Sequence, residues 1–229
     1  MSEQTSPATT SSPTDRQAHE ERIKGILAIV AASVLGVAAV LTAWSAFRQG
    51  SAGDAMVKGF ADQQVLVSQA NDAYGQADTE RSIEEQFFIT YAVQNATGNV
   101  DAAAYLEQAM SPELWNAVSW WNEQPDDGPV TPFVEENPYY ADLPSQQLLV
   151  SGDELMAQAD ETRAAAEAAN SIGDRFGLAN VFFAIVLFLA GVATLLSRWR
   201  IQAVIVGLGA LVLIGGVVIV VTTPGWASL

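Results

Sequence analysis

Three stretches of this chain, Gly25 to Phe47, Leu178 to Leu196 and Ile201 to Thr222, contain no Asp, Glu, Lys, Arg or His. Each supplies roughly the 20 apolar residues that a helix needs to cross bilayer hydrocarbon. The 229 residues carry a net charge of −16 from 26 acidic side chains, yet their mean hydropathy is positive. Those two properties coexist only if apolar and acidic residues are segregated along the chain, and the pattern predicts a membrane protein with three spans. The first apolar run exceeds the ~7–15 residues of a secretory h-region, and no clean small-x-small site closes it. It reads as a retained anchor. With no cysteine in the sequence, disulfides and thiolate metal sites are excluded.

Between the last two runs stand only Ser197, Arg198, Trp199 and Arg200. A connection this short holds a turn and nothing more. Under the positive-inside rule its two arginines belong to the cytoplasm, with Trp199 at headgroup level, and Arg16, Arg22 and Lys24 before the first run agree with that orientation. An anionic-lipid site is the other reading of this basic turn. The carboxyl end then lies outside, as does everything from Arg48 to Phe176. That central stretch holds 22 Asp and Glu against five basic residues, a net of −17. Such a surface attracts cations and basic partners and repels nucleic acid, although solubility of an exposed domain is the plainer account of it.

The expected fold is an all-α membrane protein, with three transmembrane helices and an extracytoplasmic helical bundle between the first and second. Its parts are a disordered cytoplasmic tail (1–22), a first span (23–47), an acidic outer domain (48–176), a second span (177–197), a cytoplasmic turn (198–200), a third span (201–222) and an outer tail (223–229). The tail is rich in Ser, Thr, Pro and Gln and lacks an apolar period. In the outer domain, Gly50 and Gly53 are expected to loosen the helix leaving the membrane, and Gly75 to kink it. Met56, Phe60, Val67, Ala70 and Tyr74 recur at helical spacing, and Ile83, Phe87, Phe88 and Tyr91 continue the run. Asn95 to Asn99 reads as a turn, followed by a short helix near 101–109. At Ser111-Pro112-Glu113 stands a start signal in which Ser caps, Pro suits the first helical position and Glu favours the positive end of the dipole. The five prolines of 124–144 predict an extended loop, and a last amphipathic run from Gln146 to Ser171 leads into the second span.

Catalytic chemistry finds little support. A Cys-His pair is impossible, a Ser-His pair would need His19, the sole histidine, across the membrane from the outer domain, and no phosphate-cradling glycine loop is present. The chain is not expected to be an enzyme, and the sequence implies no cofactor and no metal site. Four adjacent acidic pairs, Glu84-Glu85, Asp126-Asp127, Glu135-Glu136 and Asp153-Glu154, lack the alternate spacing of a calcium loop and read as solvated faces and turns. No ionisable residue interrupts the spans, which argues against a transport path.

Adhesive features remain. Ala28, Ala32 and Gly36 stand four apart on the first span, and Ala203 and Gly207 repeat that spacing on the third. Small residues so placed let helix backbones approach closely in lipid, either among the three spans or against a larger partner. Trp44, Trp199 and Trp226 fall at span ends as interface anchors, with Arg198 and Arg200 beside them. Trp115, Trp120 and Trp121 crowd one short helix and serve either a core or a contact surface.

Four segments carry a resemblance: AVLTAWSAFRQG (39–50), LWNAVSWW (114–121), PFVEENPYY (132–140) and ANSIGDRFGLANVFFAIVLFLAGVATLLSRWR (169–200). The chain resembles a widespread group of uncharacterised bacterial inner-membrane proteins with one amino-terminal span, a helical outer domain and a carboxyl-terminal hairpin. In size and acidity it also resembles a small accessory subunit of the actinobacterial cytochrome bcc-oxidase supercomplex. These likenesses imply a plasma-membrane location and larger membrane subunits as partners, respiratory ones among them, with lipid and no nucleic acid. The function expected is that of a non-catalytic accessory subunit. A stand-alone sensor whose acidic domain binds a cation or envelope component is the alternative, and an oligomeric channel stands behind both.

Overall fold

The computed structural model describes residues 13–196 and 198–226, with side chains from Glu21 onward. Among the described residues the regular elements are all helical, without strands: α1 (Pro13–Ala96), α2 (Val100–Ala109), α3 (Pro112–Asn122), a single 3-10 turn (Tyr140–Asp142), α4 (Pro144–Leu195) and α5 (Trp199–Thr222). Three of them, α1, α4 and α5, contain segments long and apolar enough to cross a membrane.

Helix α1 already covers Pro13 onward, inside the segment expected as a tail. Residues 1–12 of that segment lie outside the described residues, as do the His19 side chain and Ser197. Helix α1 runs without interruption through Gly50, Gly53 and Gly75. A glycine within a helix costs about 1 kcal/mol relative to alanine, and buried neighbours on the same helix, Ser45 on one side and Ala70, Ala73 and Ala77 on the other, outweigh it.

The chain divides into two compact units. One comprises Met1–Val57 and Ala166–Leu229. Here α1 buries Ala31, Ala38 and Ser45, each seven residues from the last. Helix α4 buries Phe176, Ala179, Phe183, Val186, Ala190 and Ala193 at alternating steps of three and four. That is the seven-residue period of coiled-coil packing, in which small side chains on one helix face larger ones on the next. Trp44 meets Phe176 edge to face at 5.6 Å, and Ala52 of α1 faces Gly173 of α4. Helix α5 closes on α4 through Gly209 and Gly216; a Cβ on Gly216 would stand 2.6 Å from Phe183 Cε1, so only glycine fits beneath that ring.

The other unit is Lys58–Ala165. Along α1 it buries Ala70, Ala77, Glu84 and Tyr91, again seven apart, and along α4 it buries Ser145, Gly152 and Ala159 at the same interval. Tyr74 lies over Gly152, where a Cβ would run into its ring. The wider end of the unit is filled by Phe88, Tyr91, Ala103, Met110, Leu114, Ala117, Val118 and Leu143. Helix α3 starts as its sequence predicts, with Ser111 Oγ accepting from Leu114 N at 3.2 Å and Pro112 opening the helix. Gly98, at φ +75°, makes the turn before α2, and Asn99 caps that helix by accepting from Ala102 N. The proline-rich loop is fixed by buried Asn137, which donates to Pro132 O at 2.7 Å and Ala117 O at 3.2 Å and accepts from Tyr139 N.

Candidate functional site

The tryptophans of α3 divide between core and surface. Trp115 meets Tyr91 edge to face at 5.6 Å and Trp121 meets Phe88 at 5.0 Å. Trp121 also donates its indole N–H to Pro129 O at 2.7 Å, tying the loop to the helix. Both pack on the hydrophobic core of their unit. Trp120 is half-buried and stands outside that cluster.

Small residues divide more sharply. The three nominated on α1, Ala28, Ala32 and Gly36, are all exposed, and so are Ala39 and Ala43. Contacts within the unit are made instead by Ala31 and Ala38, on an adjacent face of the helix. On α5, Gly207 is exposed with open space where a Cβ would lie, Ala203 is half-buried, and the close approach belongs to Gly209 and Gly216. Four-residue spacing located small faces, but the seven-residue interval is what distinguishes the face turned inward.

At the span ends, Trp44 is half-buried against Phe176 rather than free. The guanidinium of Arg48 sits 5.7 Å from the centre of the Phe176 ring and donates to Gly225 O at 2.6 Å, fastening the turn after α5. Trp226 is exposed. Arg198 is the N-cap residue of α5, and Arg200 lies over the Trp199 ring at 5.5 Å.

One acidic residue departs from the solvated reading. Glu84 is buried, and its carboxylate receives both the Ser145 backbone N–H (3.0 Å) and the Ser145 hydroxyl (2.6 Å). Ser145 is the second residue of α4, so the side chain of one helix caps the start of another and meets the positive end of its dipole. Burial raises the Glu84 carboxyl above the usual carboxylate range; the two Ser145 bonds pull the other way without cancelling it. No sequence signal marked this residue, because its partner lies 61 positions away. Its neighbour Glu85 pairs with Arg81 at 2.9 Å. Tyr74 donates to Asp153 Oδ1 at 2.8 Å, and that bond holds the phenol above its ordinary value. Asp126, Asp127, Glu135, Glu136 and Glu154 are exposed. Among the described residues no group of three or more His, Cys, Asp and Glu is placed to hold a metal ion. A polar groove of this unit is lined by Glu113, Asn116, Tyr139, Asp142 and Gln147.

A family model described as a domain of unknown function (DUF4337) matches residues 135–222. The match takes in the end of the proline-rich loop, all of α4 and α5, and leaves out Ala39–Gly50 and Leu114–Trp121. No curated protein and no solved structure matches the chain.

Proposed function

We propose that this protein is a non-catalytic accessory subunit that docks onto a larger bacterial membrane complex through the outer face of its first span. The observation that carries the reading is the exposure of Ala28, Ala32 and Gly36 while Ala31 and Ala38 make the contacts of the unit. A lipid-facing helix gains nothing from a run of small side chains. A helix that receives a partner backbone does, because close approach supplies the van der Waals contact that drives association in hydrocarbon. In this reading the amino terminus and Arg198–Arg200 are cytoplasmic, and the acidic unit lies outside the plasma membrane, where its charge draws basic or cationic surfaces of the complex. Half-buried Trp120 and exposed Trp226 are aromatic contacts available to the partner or to headgroups. A respiratory supercomplex is the partner to test first, since the layout of the chain resembles an accessory subunit of one.

The test is affinity purification of the tagged full chain from its native membrane in mild detergent, with quantitative mass spectrometry of what remains bound. Larger membrane subunits at near-equal amount are expected. Recovery of this chain alone would overturn the accessory reading and favour a stand-alone sensor, whose exposed Glu135 and Glu136 would then be the first residues to probe for cation binding.

A further inference from the structure

We infer that the unit formed by Met1–Val57 and Ala166–Leu229 holds one internal water molecule between Ser45 of α1 and Asn180 of α4. Ser45 Oγ and Asn180 Oδ1 are both buried, and neither has a hydrogen-bond partner among the described residues. An orphan of this kind is costly, because the buried group gives up its bonds to water and receives none in return. The packing of α1 on α4 brings the two residues to the same level. Helices α1 and α4 run antiparallel in this unit, as shown by Ala52 beside Gly173, Gln49 bonded to Asn180 and Ala31 clustered with Ala193. Interpolation between those contacts sets Ser45, on the turn before Gln49, against Asn180.

The orientation of the serine is the second argument. Hydroxyls within helices commonly donate back to the carbonyl four residues earlier. On the same helix Thr42 does so to Ala38 O at 2.7 Å and Ser51 to Phe47 O at 3.2 Å. Ser45, between them and fully buried, does not. That hydroxyl lies inside the unit without a bond to its own helix.

Water fits the chemistry of the site better than a cation. A water oxygen accepts the Ser45 O–H, one of its protons goes to Asn180 Oδ1, and the other can go to Gln49 Oε1, which accepts from Asn180 Nδ2 at 3.2 Å and keeps a second lone pair. Three polar partners are what a buried water typically has. All three side chains are neutral, and the Arg48 guanidinium stands three residues along the same helix. A cation would enter with no counter-charge and a like charge nearby.

The experiment uses the full chain in lipid nanodiscs and follows thermal unfolding of wild type, Ser45→Ala, Asn180→Leu and the double variant. Ser45→Ala leaves the asparagine oxygen orphaned and should lower Tm by at least about 3 °C. The double variant, with both polar groups gone, should recover at least half of that loss. An unchanged Tm for Ser45→Ala overturns the inference, because the hydroxyl is then bonded back to the Leu41 carbonyl. Purely additive losses also overturn it, and so does a rise in Tm on replacing choline chloride by sodium chloride at equal ionic strength that is present in wild type and abolished by Ser45→Ala, which would place a cation there. If Ser45→Ala does not fold, solid-state NMR of the wild type decides: a water cross-peak to the Asn180 side-chain amide is expected, and its absence excludes the water.

Discussion

At the scale of single residues, Glu84 separates what the sequence displays from what the fold uses. By its neighbours it belongs to an acidic pair on a solvated helix face, and Glu85 does lie there, bridged to Arg81. Glu84 is instead carried inward by the seven-residue interval that buries Ala70, Ala77 and Tyr91. Burial and the two Ser145 bonds oppose each other at this carboxyl, and burial wins, so its folded-state pKa lies above the unfolded value. Such a group contributes stability at acid pH that declines as pH rises from the ordinary carboxylate range through the raised value. Glu84→Gln removes the decline. Thermal unfolding of both proteins at pH 4 and pH 7 should show the variant gaining on wild type between the two. Glu84→Ala, which leaves the Ser145 N–H and hydroxyl unpaired in a buried place, should lose about 1–3 kcal/mol at either pH. Equal pH dependence of wild type and Glu84→Gln would remove Glu84 as the source.

At the scale of elements, helix existence and capping were legible, and helix continuity was not. The Ser111-Pro112-Glu113 start is written in three adjacent residues whose chemistry acts locally, and α3 begins there. Whether Gly50, Gly53 and Gly75 break α1 depends on what the flanking turns pack against, and that information lies in α4, about a hundred residues on. The small-residue faces show the same limit. Composition reveals that α1 and α5 carry them, but only the partner helix determines which one turns inward. Gly216 gives a test at this scale. With Phe183 Cε1 2.6 Å from the place of a Cβ, Gly216→Ala must shift either the ring or the helix and should cost about 1–3 kcal/mol. Gly207→Ala, where nothing lies within 4 Å, should leave the unfolding midpoint of the isolated chain unchanged. The proline-rich loop was readable as irregular. Its anchoring through Asn137 and Trp121 was not, because both bonds reach backbone carbonyls that carry no residue signature.

At the scale of the whole molecule, segregation of charge from apolar sequence already marked three segments able to cross a membrane, and α1, α4 and α5 contain them. The family match over residues 135–222 falls on the carboxyl-terminal hairpin and the helix leading to it, where the longest of the resembling segments lies. Orientation can be measured directly, since the chain has no cysteine of its own. With Glu136→Cys and Arg200→Cys as separate variants, a membrane-impermeant maleimide applied to intact cells should label the first and leave the second untouched until the membrane is opened. Labelling in the reverse order would turn the protein over. The most direct test of docking through the outer face of α1 compares what copurifies with wild type and with Ala32→Leu/Gly36→Leu. Both positions are exposed, and Gly36 has open space around it, so the chain itself should fold and accumulate as before. The account predicts that the larger membrane subunits bound to wild type are lost from the variant at unchanged expression. Their retention in undiminished amount would contradict it.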